Sequence, residues 1–207
     1  MMLRAEQIRL ALEQKGPYEK SDPLVISPSP DLETLAKQGS ASVDLRLGTW
    51  FVSLRESRMS CLEIDSRGKR PSHLSKTHYV PFGQSYYLHP GCFVLGITLE
   101  WLRLPNYLFG YVIGKSSLGR RGLVIATAIG VHPGFTGCLT LELSNVGEIP
   151  IAIKPGMLVC QLCFQEAGTA AMNIDTVDCS QFVGSRKPKL GRYELDKLAE
   201  KLADAAR

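Results

Sequence analysis

Apolar and polar residues alternate in short runs along most of this chain. Ser42-Val43-Asp44-Leu45-Arg46-Leu47 alternates strictly and meets Gly48, the pattern of a half-buried strand that ends in a turn, with Trp50 to Leu54 as its expected hairpin partner. From Tyr79 onward the strand signals recur at Tyr86–Leu88, Phe93–Leu99, Gly110–Gly114, Leu123–Ile125, Leu139–Leu143, Ile149–Ile153 and Leu158–Phe164. Helical spacing is confined to Leu3–Gln14 (stopped by Gly16 and Pro17), to a short stretch at Leu32–Lys37, and to Leu195, Leu198 and Leu202 near the C-terminus. Arg55 to Lys76 is polar and weakly patterned, and is expected to form a long surface excursion. Many short strands with few helices between them predict an all-β barrel or sandwich.

Composition narrows the picture modestly. With 207 residues, 44% hydrophobic and 21% charged, the chain fits one soluble domain. Residues 1–182 are expected to form that domain, and 183–207 a basic tail with a short helix. The net charge of +4 comes from no single basic run, which suits a small polyanion better than a nucleic acid. No run reaches the length of a membrane span. Met1 to Gln14 lacks the apolar core of a secretory signal, so a cytoplasmic setting is expected, with Cys61, Cys92, Cys138, Cys160, Cys163 and Cys179 reduced and buried.

The chemistry concentrates between Gly114 and Phe164. Gly114-Lys115-Ser116-Ser117-Leu118-Gly119-Arg120-Arg121-Gly122 combines glycines that let backbone approach a ligand with hydroxyls and arginine forks that match phosphate oxygens. The order is not that of a Walker loop, and an ordinary exposed turn has the same composition. Downstream, Leu139, Leu141 and Leu143 share one face of a strand while Cys138, Thr140 and Glu142 share the other. A carboxylate in a half-buried strand is costly unless paired or used, although a solvent-facing Glu on an edge strand has the same periodicity. Cys160 and Cys163 fall on opposite faces of their strand and suit core packing rather than a metal. His73, His78, His89 and His132 are followed two residues on by Ser75, Val80, Gly91 and Gly134, so the H-x-E signature of zinc deaminases is missing and no zinc is expected.

Lys115–Gly122 (KSSLGRRG), His132-Pro133-Gly134-Phe135 with Gly137, Leu139–Asn145 (LTLELSN), Pro150, Pro155-Gly156-Met157 and Gln161-Leu162, with Ser42–Gly48 and Leu88–Gly91 upstream, resemble the core of the dCTP deaminases. These are the metal-free deaminase branch of the dUTPase-like superfamily, and the match runs from about Ser42 to Phe164. The resemblance implies a mainly β fold, a distorted β-barrel with short terminal helices, and a homotrimer with active sites shared between subunits. It implies that Glu142 is the catalytic base, with Ser116 and Arg120 orienting water and substrate around it. It implies a triphosphate turn of Lys115, Ser116, Ser117, Leu118, Gly119 and Arg120, a base-reading strand of Thr140, Leu141 and Glu142, and a substrate contact from Gln161. Magnesium would travel with the triphosphate of dCTP or dUTP, and dTTP, an inhibitor of related enzymes, is a candidate ligand.

Three departures accompany the resemblance. His132 stands where the family commonly has an Asp that contacts deoxyribose and, in dUTP-hydrolysing relatives, aids attack on the α-phosphate. Val124–Ala128 (VIATA) is one residue short and lacks the family's His. In the tail, Phe182 replaces a Tyr that closes over substrate, Lys187 or Lys189 takes the place of a Lys, and no Gln matches. Deamination of dCTP is therefore the leading expectation. A dUTP or bifunctional diphosphohydrolase, which His132 disfavours, and a non-catalytic nucleotide-binding regulator are the alternatives.

Overall fold

The computed structural model describes residues 1–19, 22–37, 41–55, 61–62, 74–168, 183–191 and 198. The expected tail residue Phe182, Cys179, His73, most of the Arg55–Lys76 excursion and nearly all of the C-terminal helical pattern lie outside them. Three α-helices and fourteen strands are described. The first helix, α1 (Ala5–Glu13), buries Ala5, Ile8 and Ala11. A single 3-10 turn at Gly16–Tyr18 then precedes β1 (Val25–Ser27), and α2 (Leu32–Lys37) matches the predicted short helix.

The strands continue as β2 (Ser42–Arg46), β3 (Trp50–Leu54), β4 (Ser75–Tyr79), β5 (Tyr86–Leu88), β6 (Phe93–Ile97), β7 (Trp101–Arg103) and β8 (Leu108–Gly114). A one-turn helix, α3 (Ser116–Gly119), leads to β9 (Leu123–Ile125), β10 (Gly130–Val131), β11 (Thr136–Gly137), β12 (Thr140–Asn145), β13 (Ile151–Ile153) and β14 (Leu158–Glu166). They form four sheets, ordered β10-β8-β14-β2, β4-β3-β6-β12-β9, β1-β7-β11 and β13-β5. No sheet closes on itself among the described residues, so the hydrogen-bond ladders draw open sheets rather than a continuous barrel. The two large sheets meet at a corner instead, where Leu47 bridges Thr98 and the Gly48 N–H donates to the Ile97 carbonyl at 2.7 Å.

That corner corrects the expected hairpin. β2 pairs with β14, whereas β3 pairs with β4 and β6. Gly48 carries the chain from one sheet to the other, and its Cβ position is crowded at 3.1 Å by both Ile97 and Thr98. The corner also holds a carboxylate that the sequence did not single out. Glu100 is 1% exposed and accepts from the Arg46 backbone N–H at 2.8 Å and from its guanidinium at 3.0 Å. Two charge-assisted bonds offset its desolvation, so this buried acid is a structural tie.

Leu45, Leu47, Phe51, Val94, Leu141, Leu143, Leu162 and Phe164 make up the centre of the core. The cysteines divide. Cys138, Cys160 and Cys163 are buried, while Cys61 and Cys92 are exposed, contrary to the expectation that all are buried. Cys92 lies in the turn just before β6, outside the apolar core of that strand. No helix among the described residues is long and apolar enough to cross a membrane.

Candidate active site

The expected turn residues and His132 hang on one return of the chain. β8 runs out to Gly114, α3 turns it, and residues 123–131 come back beside it. Gly130 pairs with Tyr111, the Val112 N–H donates to the Ile129 carbonyl at 2.8 Å, and the Cβ position of Gly114 lies 3.4 Å from Ile125. β12 borders the same return on its far side, with Leu143 opposite Ile125.

The glycine-bracketed turn is a helical turn. Amides of Gly119 and Arg120 donate to the carbonyls of Lys115 and Ser116 at 3.1 and 3.0 Å, and the amide of Gly122 closes on Gly119. Ser116, Ser117, Gly119 and Arg120 are exposed, whereas Leu118 tucks partly into the core and fixes the turn's orientation. Gly122 has φ +87°, and a Cβ there would meet the Gly147 amide nitrogen at 2.9 Å. Only glycine fits both demands. Asn145 governs this approach. Fully buried, it donates through Nδ2 to the Leu88 and Ile149 carbonyls at 2.8 Å each and accepts from the Gly147 N–H at 2.9 Å. The adjacent Val146 amide donates to the Gly122 carbonyl at 2.9 Å. A buried amide thus holds the loop against which the exposed turn is set.

Lys115 and Gln161 come together through Asp44, which no motif in the sequence marks as a site residue. Asp44 of β2 accepts from Lys115 Nζ at 2.6 Å and from Gln161 Nε2 at 3.0 Å. The register explains the meeting: Gln161 of β14 lies opposite Asp44 on one side and Ile113 of β8 on the other. Asp44 occupies the less buried face of the alternating strand, which was the available signal, but only the β2–β14 pairing identifies its partners.

Glu142 sits on the less buried face of β12 with Thr140, while Leu141 is 0% exposed in the core. The Leu141 side chain therefore turns away from the face that Thr140 and Glu142 share, and only its backbone can take part in reading a base. Glu142 is held through its main chain. Its N–H donates to Thr127 Oγ1 at 2.7 Å, and its carbonyl accepts from the Ala126 N–H at 2.8 Å. Thr127, inside the VIATA stretch, thus fixes the Glu142 backbone. Among the described residues the Glu142 carboxylate makes no hydrogen bond or ion pair, which leaves both oxygens for a ligand.

His132 follows β10 and is exposed, edge-on to Phe109 with ring centroids 5.5 Å apart. Val131 lies opposite Gly110, so His132 and Lys115 stand near opposite ends of β8, about 20 Å apart at strand rise. One chain therefore brings together Ser116 with Arg120, Lys115 with Gln161, and Thr140 with Glu142, but it does not converge all of them on one point.

A mainly β chain with an exposed hydroxyl- and arginine-bearing turn, a main-chain-clamped glutamate and a Lys–Asp–Gln cluster has the makings of a small-anion-handling enzyme. Comparison with known proteins makes the class specific. Residues 7–167 match the family model described as dCTP deaminase-like. The chain belongs to that family. It is 38% identical over 84% of its length, and 89% of the relative's, to a dCTP deaminase of Natronomonas pharaonis. It is 40% identical over 74% of its length, and 78% of the relative's, to a dUMP-forming dCTP deaminase of Dictyoglomus thermophilum. Its structure is similar to the crystal structure of 2'-deoxycytidine 5'-triphosphate deaminase from Agrobacterium tumefaciens, with a TM-score of 0.57 and 25% identity, over 80% of this chain and 49% of that one. The chain thus spans about half the length of that solved relative.

Proposed function

We propose that this protein is a cytoplasmic dCTP deaminase that converts dCTP and water to dUTP and ammonia. The observation that carries the reading is Glu142, whose backbone is clamped on both sides by residues 126–127 while its carboxylate remains unengaged. A general base needs this combination of fixed position and free oxygens. Glu142 takes a proton from water as the oxygen adds to C4 of cytosine. It then returns that proton to the departing amino nitrogen, so that ammonia leaves, while the proton of the added hydroxyl ends on N3 and the C4 carbonyl of uracil forms. Ser116 and Arg120 orient the water and substrate, Thr140 and the backbone of Leu141 read the base, and Lys115, Ser117, Gly119 and Gln161 hold the nucleotide. Among the described residues no group of three His, Cys, Asp or Glu side chains is placed to hold an ion. In this reading magnesium comes with the triphosphate.

The separation of His132 from the phosphate turn within one chain supports a site completed between copies, in a homotrimer with active sites shared between subunits. Purified protein incubated with dCTP and magnesium is expected to release one ammonia per dCTP consumed, and absence of ammonia refutes the reading. A second reading, in which the dUTP formed is also cut to dUMP and pyrophosphate, is favoured by the dUMP-forming relative at 40% identity. Chromatography of the same reaction separates the two: dUTP accumulates in the first, dUMP with pyrophosphate in the second. With His132 in place of an acid, we favour dUTP.

A further inference from the structure

The basic segment after residue 182 is docked onto the body of the protein along β11, just ahead of β12. Its backbone adds to the free edge of β11. The Gly184 N–H donates to the Thr136 carbonyl at 2.8 Å, and the Cys138 N–H donates to the Ser185 carbonyl at 3.0 Å. Gly137, between those partners, has φ +141°, and a Cβ there would meet the nitrogens of Gly184 and Ser185 at 3.3 Å each. The tail backbone passes where any other side chain would stand.

Two cations then close the contact. The Arg186 guanidinium lies 4.9 Å from the centroid of Trp101, and Lys187 Nζ lies 3.9 Å from that of Trp50. Ser185 is buried between these points. The chain has only two tryptophans, and the tail covers both. Between them lies a cleft of about 400 Å³, floored by Gly48, Thr98 and Cys138 and bordered by Arg186. Strand addition supplies affinity through the main chain, and cation–π pairing supplies register.

We propose that residues 183–188 are a clasp, and that Arg186 and Lys187 are positioning residues for the turn that carries His132. β11 is the exit of that turn: the Phe135 N–H donates to the His132 carbonyl at 3.2 Å, and the Phe135 carbonyl anchors the Leu104 N–H at 2.8 Å. On its other side β11 pairs with β7, where Thr136 lies opposite Arg103. With the clasp closed, β11 is held on both edges and His132 is presented in one place. With the clasp open, one edge is released and the turn loosens. β12 is less affected, because β6 pairs with it from Thr140 to Ser144. The clasp thus bears on substrate placement rather than on Glu142. This consequence rests on the dCTP reading, whereas the docking itself does not.

The test compares the full-length chain with Arg186→Gln/Lys187→Gln and, separately, with Trp50→Phe and Trp101→Phe. Acrylamide quenching of tryptophan fluorescence reads docking directly. Loss of both cation–π contacts is expected to lower the docked-to-undocked ratio about tenfold, so quenching rises in the double Gln variant while its circular dichroism is unchanged. With dCTP, the KM of the single variant Arg186→Gln, which keeps both tail lysines, is expected to rise about twofold while kcat stays within a factor of about two, since uniform binding rather than chemistry is lost. Quenching equal to wild type overturns the clasp. Raised quenching with unchanged KM, or with kcat reduced instead, overturns the positioning role. A wild-type chain that releases no ammonia from dCTP would refute the functional reading and leave the quenching result intact.

Discussion

Replacing Asn145 with Ala removes a side chain that ties β5 to the loop after β12, the loop against which the Lys115–Gly122 turn is set. Its amide makes three hydrogen bonds, to the Leu88 and Ile149 carbonyls and from the Gly147 N–H, with no solvent exposure. Each is worth about 1 kcal/mol net, and more where the abandoned backbone group finds no water. The expected loss is therefore about 3–5 kcal/mol, a large share of the roughly 5–15 kcal/mol that holds a typical domain together. At about 2–4 °C per kcal/mol for a chain of this size, the thermal midpoint should fall by roughly 10 °C.

Asn145→Asp sharpens the argument, because it keeps the shape and turns two donated bonds into oxygen facing oxygen. Burial and the two carbonyls raise the folded-state pKa of the new acid above its unfolded value. The folded protein then binds the extra proton more tightly, so the deficit is smallest below pH about 4 and grows as pH rises towards neutrality. Urea unfolding of wild type and both variants between pH 4 and 8 measures these effects. A loss under about 1 kcal/mol for Asn145→Ala, or a deficit for Asn145→Asp that shrinks as pH rises, would refute the role given to this residue.

Other expectations follow from the same geometry. A double-mutant cycle on Asp44→Ala and Lys115→Ala should give a coupling of about 1 kcal/mol, since the pair is partly exposed; strict additivity would mean that the contact contributes nothing. His78 accepts or donates a 2.8 Å hydrogen bond with Ser53, and burial, with Lys76 second, lowers its pKa from 6.5. The folded state disfavours the proton, so stability contributed by neutral His78 is present above pH 6.5 and is lost as pH falls through the lower folded value. His78→Gln should flatten that acid-side slope in urea titrations. Thiol labelling of native protein at pH 7 should modify Cys61 and Cys92 quickly and leave Cys160 untouched, because burial pushes the Cys160 thiol up to about 12. Mass spectrometry that finds Cys160 labelled as fast as Cys92 would contradict this.

Periodicity was a good guide wherever one face of a strand meets the core. The alternation at Ser42–Leu47 and Leu139–Leu143 located β2 and β12 to within a few residues and put Glu142 on the correct face. It could not assign partners, because alternation is a property of one strand and pairing a property of two. The hairpin expected between β2 and β3 failed for that reason at Gly48, and Asp44 went unnoticed beside Lys115 and Gln161. The periodicity around Glu142 met a similar limit, because it could not say how far the carboxylate is buried. Glu142 is only half-buried, whereas Glu100, in a less patterned stretch after β6, is the acid that burial engulfs. Asn145 and Thr127 act through backbone groups brought near by the fold, which no spacing rule announces.

The central claim is that Glu142 is the base of a hydrolytic deamination. Ammonia release and ultraviolet loss at cytosine wavelengths, followed for wild type and Glu142→Gln with dCTP and magnesium, test it directly. The account predicts steady release of ammonia by wild type and a loss of about a hundredfold or more in the variant, with dCTP still bound and the thermal midpoint preserved. Glu142→Gln turning over dCTP at the wild-type rate would contradict it.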